Sequence, residues 1–220
     1  MMRRRGITVW LVSIVGLIVA GCGSTRSSPD NPTSAGGLTP NVQDPEAGLV
    51  AVAPGFDLTR YKTIVVEKFP VTDPTTKDEG DRRFGERMNH YLHLELLRRM
   101  RESGLFQQVI DGSTAQTAPP DGSALRLRGT ITRLGRGSQV ARYFAGLYGA
   151  GRTRAQADMQ FLDASANRVV IVTSDRRVAS MGLLGGSDEE HLEESFNDMA
   201  RDLGKFLVRL SKGQAPPGVR

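Results

Sequence analysis

The sequence predicts an α+β domain of two layers, in which two amphipathic helices pack on one mainly antiparallel sheet. Three observations in the 220-residue chain carry this prediction. Apolar side chains recur every four residues from Phe84 to Met100. A second stretch with helical spacing opens on a capping signature at Ser187. Around and between these two lie short segments that alternate at the period of a strand.

Taken in order, "YKTIVVEKF" (61–69) runs into a β-branched core and reads as a buried strand. The polar loop "PVTDPTTKDEGD" follows, and Phe84, Met88, Leu92, Leu96 and Met100 then line one face of a helix. Gly104 stands at the C′ position, where a left-handed backbone ends a helix without steric cost. "LFQQVI" (105–110) reads as a short strand and "PPDG" as a turn, while "LRLRGTITRL" (125–134) alternates like a half-exposed strand. "RAQADMQFLD" (154–163) and "RVVIVTSDRRV" (168–178) predict a hairpin that turns between Ala164 and Asn167. Ser187, Asp188, Glu189 and Glu190 form a capping box with an acidic first turn. Leu192, Phe196, Met199, Leu203, Phe206, Leu207 and Leu210 mark the apolar face of that last helix. The order is β-α-β-β-β-β-α in a single domain over 55–211, with 212–220 read as a disordered tail.

The start of the chain is of another kind. Arg3, Arg4 and Arg5 precede an uncharged apolar run from Ile7 to Ala20, the layout of a signal peptide. The run is shorter than the roughly 20 residues that cross hydrocarbon as a helix. It ends in Val19-Ala20-Gly21-Cys22, which resembles the lipobox of bacterial lipoproteins, with valine in place of the usual leucine. That resemblance implies removal of residues 1–21, a diacylglycerol on the Cys22 sulfur and acylation of its amine. Two or three chains hold a protein at a bilayer where one does not. The abrupt polar turn at Ser24, with no stop-transfer flank, speaks against an uncleaved anchor with an idle thiol. As the only cysteine, Cys22 also leaves the mature chain without a disulfide. Gly23 carries no aspartate retention signal, so the resemblance implies the outer membrane, facing the periplasm, in a two-membraned bacterium. Residues 22–54, rich in Ser, Pro, Gly, Asn and Thr, read as the lipidated cysteine and a disordered tether. Such a tether reaches about 30 Å.

Charge points away from nucleic acid. Of 29 basic residues, three lie in the removed segment, leaving 26 against 24 acidic ones. That balance supplies no phosphate-tracking stripe, and with aromatics at 6% there is no stacking platform either.

"YKTIVVEKF", the helix ending "SGLF", "LRLRGTITRL" and the glycine-rich "GAGRTRAQADMQFLD" together resemble exported lipoproteins that carry a domain of unknown function of the DUF 4410 type. Those are similar in outline to periplasmic accessory modules, such as the curli-secretion lipoprotein and the lipoprotein activators of cell-wall synthases. The resemblance covers most of 58–210. It implies a fold and a compartment, and no catalytic residues.

Two glycine-rich segments remain. "GRGSQVARYFAGLYGAGRTR" (135–154) carries Val140, Tyr143, Phe144, Leu147 and Tyr148. "ASMGLLGGS" (179–187) carries Met181, Leu183 and Leu184. Neither phosphate-loop register fits the first segment, and it precedes a strand rather than a helix. It is either a plain connection or an interaction loop, and its bulky apolar groups are the argument for the second. If both segments lie at one end of the sheet, they form an apolar patch for a protein partner, a second copy, or a bilayer. His90 and His93, with Glu86, have metal-ligand spacing, but they flank the apolar stripe and are expected on a solvated face. Capping accounts for the acidic run around His191. No nucleophile elbow, zinc helix or carboxylate pair is present, so no enzyme, metal or cofactor is expected. The sequence reads as a lipid-anchored accessory or docking module; a lipid- or small-molecule-binding module is the alternative.

Overall fold

The computed structural model describes residues 24–114, 123–135, 153–179, 187–214 and 216. The strands are β1 (Thr25–Ser27), β2 (Val42–Asp44), β3 (Gly48–Val52), β4 (Thr63–Val66), β5 (Gln108–Asp111), β6 (Ala124–Gly135), β7 (Thr153–Asp163) and β8 (Arg168–Ala179). Helix α1 (Glu79–Glu102) lies between β4 and β5, and α2 (Asp188–Ser211) follows β8. All eight strands share one sheet in the order β2-β3-β8-β7-β6-β4-β5, with β1 also paired to β8. β4 is parallel to β5 and β6, because α1 carries the chain back to the start of the sheet between β4 and β5. The other pairs are antiparallel. This is the expected α+β architecture, and from β4 onward the elements follow the expected order.

Each helix buries the face its spacing marks. Phe84, Met88, Leu92, Leu96 and Met100 are buried on α1, and Leu192, Phe196, Met199, Leu203, Phe206 and Leu207 on α2, over the inward side of β6, β7 and β8. Asp78 caps α1 by accepting from Asp81 N at 2.7 Å, and Gly104 ends it at φ +66°. The Ser187–Glu190 capping box on α2 forms in both directions, at 3.1 and 2.9 Å. The helices run side by side in the same direction, joined by Arg87–Glu189 at 2.9 Å and Arg99–Asn197 at 2.8 Å.

Residues 24–54 correct the expectation of a disordered tether. Three short strands lie within them, and residues 28–40 cross the sheet face opposite the helices. Thr33 donates its N and Oγ1 to Asp158 Oδ2 at 3.0 and 2.6 Å. Ser174 Oγ donates to Asp158 Oδ1 at 2.6 Å. Gln156 accepts from Asp30 N at 2.7 Å and donates to Asp30 O at 2.9 Å. Ala35, Leu38 and Ala51 close over Leu162, Val169 and Val172 beside this strip. Composition misled because the segment binds through hydrogen bonds to a buried polar strip rather than through a run of apolar residues. The β2–β3 hairpin turns on Asp44 Oδ1, which accepts from Glu46 N and Ala47 N at 2.8 and 2.9 Å. Gly48 follows at φ +76°, where a Cβ would lie 2.3 Å from Ser174 O. Only glycine fits there.

His93 is the second correction. It is buried rather than solvated, with Nε2 2.8 Å from Asp111 Oδ1 and Nδ1 3.3 Å from Glu67 O. The helix stripe is wider than the every-fourth spacing suggested, so it takes in this position.

Two predictions follow from these contacts. Asp158→Ala strands Thr33 and Ser174 and should cost about 2 kcal/mol in urea unfolding, against almost nothing for the exposed Arg128→Ala. The second concerns acid. Burial works against the Asp111 charge, yet the bonds from Ser113 and His93 lower its carboxyl to about 2. Asp163 is likewise held at about 2, burial being outweighed by Ser165, Ala166 and Tyr61. Both folded-state values lie below the unfolded value near 4. Their contributions are therefore complete above about pH 4 and drain away as pH falls toward 2. A melting series across that window should show a falling Tm that Asp111→Asn flattens.

Candidate functional site

One end of the sheet carries the described residues that flank the two glycine-rich segments. Its foundation is a buried charge cluster. Arg177 on β8 has a side chain only 6% exposed and donates to Asp175 and Asp202 at 2.8 and 2.9 Å. Arg26 from β1 joins the same carboxylates, at 3.1 Å to Asp175 and 3.5 Å to Asp202. It also donates to the carbonyls of Pro45 and Glu46. Lys205 and Arg201 complete the shell around Asp202 at 3.0 and 3.1 Å. Burial disfavours the Asp202 charge, but donors from Lys205, Arg177 and Arg201 hold its carboxyl below the usual range. Burial likewise opposes the Arg177 charge, and Asp175 with Asp202 outweighs it, so the guanidinium keeps its proton more tightly than usual.

This cluster holds β1 against β8 and α2. Thr25 pairs with Val178 and donates its Oγ1 to Val178 O at 3.0 Å. Ser24 Oγ donates to Asp198 on α2 at 2.9 Å. Ser24 thus sits beside the last residues of β8.

The register of the central strands brings other chain ends to the same place. Gly135, the last residue of β6, pairs with Arg154, and Thr153, the first of β7, pairs with Ala179, the last of β8. Gly135, Thr153 and Ala179, the described residues next to the two glycine-rich segments, therefore lie at the same end of the sheet as Ser24. The start of α1 lies there as well. Thr75, Thr76, Asp81 and Phe84 line a cleft of about 330 Å³ together with Leu134 and Gly135. Asp73, just ahead of it, accepts from Leu134 N at 2.5 Å. α2 begins at this end too, at Ser187, and its Glu189 reaches Arg87. His191, on the first turn of α2, is buried with no hydrogen-bond partner for Nε2.

The residues expected to act lie outside the described residues: Cys22, Val140, Tyr143, Phe144, Leu147, Tyr148, Met181, Leu183 and Leu184. Their flanks are described, and register places Gly135, Thr153 and Ala179 at one end of the sheet. Sequence reasoning missed Arg26, Asp175, Arg177 and Asp202, whose charges look like ordinary surface residues until the fold buries them. A larger groove, about 440 Å³, lies between α1 and α2 and is lined by Arg99, Arg201, Lys205 and Arg209. Each of these cations is already paired with a carboxylate, so the groove offers no open anion site. Among the described residues no cluster of three or more His, Cys, Asp or Glu is placed to hold a metal.

A family model described as "Domain of unknown function (DUF4410)" matches residues 64–182. No curated protein matches the chain. Among solved structures, the chain is similar to a PelC dodecamer subunit from Paraburkholderia phytofirmans, with 14% identity and a TM-score of 0.45 over 76% of this chain and 95% of that one. It is also similar to XCC0632 from Xanthomonas campestris, a DUF330 protein, with 12% identity and a TM-score of 0.47 over 75% of this chain and 94% of that one. A third is a candidate lipoprotein from Caulobacter crescentus, with 15% identity and a TM-score of 0.40 over 72% and 95%.

The charge cluster yields a test. Arg177→Met leaves Asp175 and Asp202 buried with fewer donors and should cost about 3–5 kcal/mol in denaturant unfolding. Arg83→Ala removes an exposed pair with Glu79 and should cost less than about 0.5 kcal/mol.

Proposed function

The chain belongs to the DUF4410 family, and from that premise we propose that it is a lipid-anchored, non-catalytic module of the bacterial envelope. In this reading Cys22 carries the lipid, and the apolar groups of 135–154 and 179–187 dock onto another envelope component. The observation that supports the reading is the convergence of Ser24, Gly135, Thr153 and Ala179 on one end of the sheet. An anchor and two apolar segments that start from the same end can act on the same surface. Arranged at opposite ends, they could not. With Gly23 after the cysteine, the anchor belongs in the outer membrane, facing the periplasm, of a two-membraned cell.

The cleft beside Gly135 favours a second reading, a module that takes a small apolar molecule between α1 and β6. Phe84 and Leu134 would provide its apolar wall and Asp81 its polar rim.

Metabolic labelling with a fatty acid tests the anchor. The native chain should take up label and fractionate with membranes, and Cys22→Ala should do neither. Photocrosslinking from positions 140–150 in intact envelopes tests the docking surface. Discrete adducts should form and disappear in Tyr143→Asp and Leu147→Asp. Unchanged adducts in both variants would defeat the docking reading, and a co-purified small molecule would favour the second.

A further inference from the structure

We infer that a further cleft, between the loop after β4 and one flank of α1, binds a small zwitterion of dipeptide length. The inference goes beyond the lipidation and docking readings and depends on neither. The cleft has a volume of about 250 Å³. That is smaller than the roughly 300–1,000 Å³ of sites for drug-sized molecules. It adjoins the cleft beside Gly135, with Thr76 lining both, but its polar groups call for a ligand of different chemistry.

Arg82, Gly85, Glu86 and Asn89 make the helix wall, and steps of three and four residues bring them onto one flank of α1. Pro70, Val71 and Thr76 make the facing wall. The two walls meet where Gly85 lies against Val71: a Cβ there would stand 3.3 Å from Val71 Cγ2. The loop wall is held in place before any ligand arrives. Ile131 N donates to Pro70 O and Thr72 N to Ile131 O, both at 2.9 Å, and Thr76 N donates to Asp73 O at 3.1 Å. A site with walls already fixed loses little conformational freedom when it is filled.

The polar groups on the helix wall are unspent. Arg83, Arg87, Arg98 and Arg99 of the same helix are each paired with a carboxylate. Arg82 and Glu86 have no side-chain partner among the described residues. Nor do they pair with each other, since a base one turn ahead of an acid is the weaker arrangement on a helix. About 6 Å of helix axis separates them. Asn89 Oδ1 accepts from Phe69 N at 3.1 Å, which fixes the amide and leaves both N–H groups of Nδ2 to donate to a ligand. A simple anion would be drawn to Arg82 and repelled by Glu86, and a simple cation the reverse. A molecule with a carboxylate at one end and an ammonium at the other satisfies both. The ends of an extended dipeptide lie about 7 Å apart, close to one helical turn. Its carbonyl then meets Asn89 Nδ2, and its short side chains meet Pro70 and Val71.

The test is a nuclear magnetic resonance titration of the isotope-labelled full chain, in detergent micelles, with L-alanyl-L-alanine. The side-chain amide of Asn89 should shift and saturate. Acetylating the amine of the dipeptide, or amidating its carboxyl, should each weaken binding about tenfold, as loss of one charge-assisted hydrogen bond does. Glu86→Gln should remove the penalty for the acetylated form alone, and Arg82→Gln the penalty for the amidated form alone. Both positions are exposed, so each variant should melt at the temperature of the parent chain. A dipeptide that produces no saturable shift would overturn the inference. So would capped forms that bind as well as the free one, or a variant that weakens all three ligands equally.

Discussion

A guanidinium whose side chain is 6% exposed keeps its charge only where carboxylates surround it, and Arg177 organises the domain around that requirement. Asp175 comes from its own strand and Asp202 from α2, while Arg26 from β1 shares both. None of these groups is stable at that depth alone, because the cost of removing each from water is met only by the others. Sheet, last helix and N-terminal strand must therefore assemble together. Remove the cluster and β1, three residues long, has little else to hold it on β8.

A second polar device works on the opposite face. Asp158 accepts from Thr33 and Ser174, and Gln156 exchanges two bonds with the backbone of Asp30. Bonds of this kind are modest in net value when formed and expensive when one partner is lost. They select one path for residues 28–40 over the sheet where apolar contact alone would leave several. The two devices share a consequence. Between them they tie residues 24–40 to both faces of the sheet.

The two helices were legible because their signals are local. The capping box at Ser187, the stop at Gly104, and apolar groups every third or fourth residue are each set by residues within a few turns along the chain. β6, β7 and β8 were legible by alternation, and the turn at Asn167 by its composition. The N-terminal strands were not legible. Three- and five-residue strands fall below any window in which periodicity can be counted, and β1 and β3 pair with β8, more than 100 residues away. A trace of the β2–β3 hairpin was present in Asp44-Pro45-Glu46-Ala47-Gly48 between valines and a leucine, a turn signal inside a segment that composition marked as polar.

By itself the sequence determined the two-layer α+β class, the helical faces, and a basic-apolar-cysteine start of the lipoprotein kind. These are properties of neighbours along the chain, where propensity, capping and periodicity act. Only the tertiary structure decided that Gly135, Thr153 and Ala179 share an end of the sheet with Thr25, that His93 is buried, and that residues 24–54 belong to the domain. Each of those depends on strand order and on charges that become costly only once burial brings them together, and neither is written in any short stretch of residues.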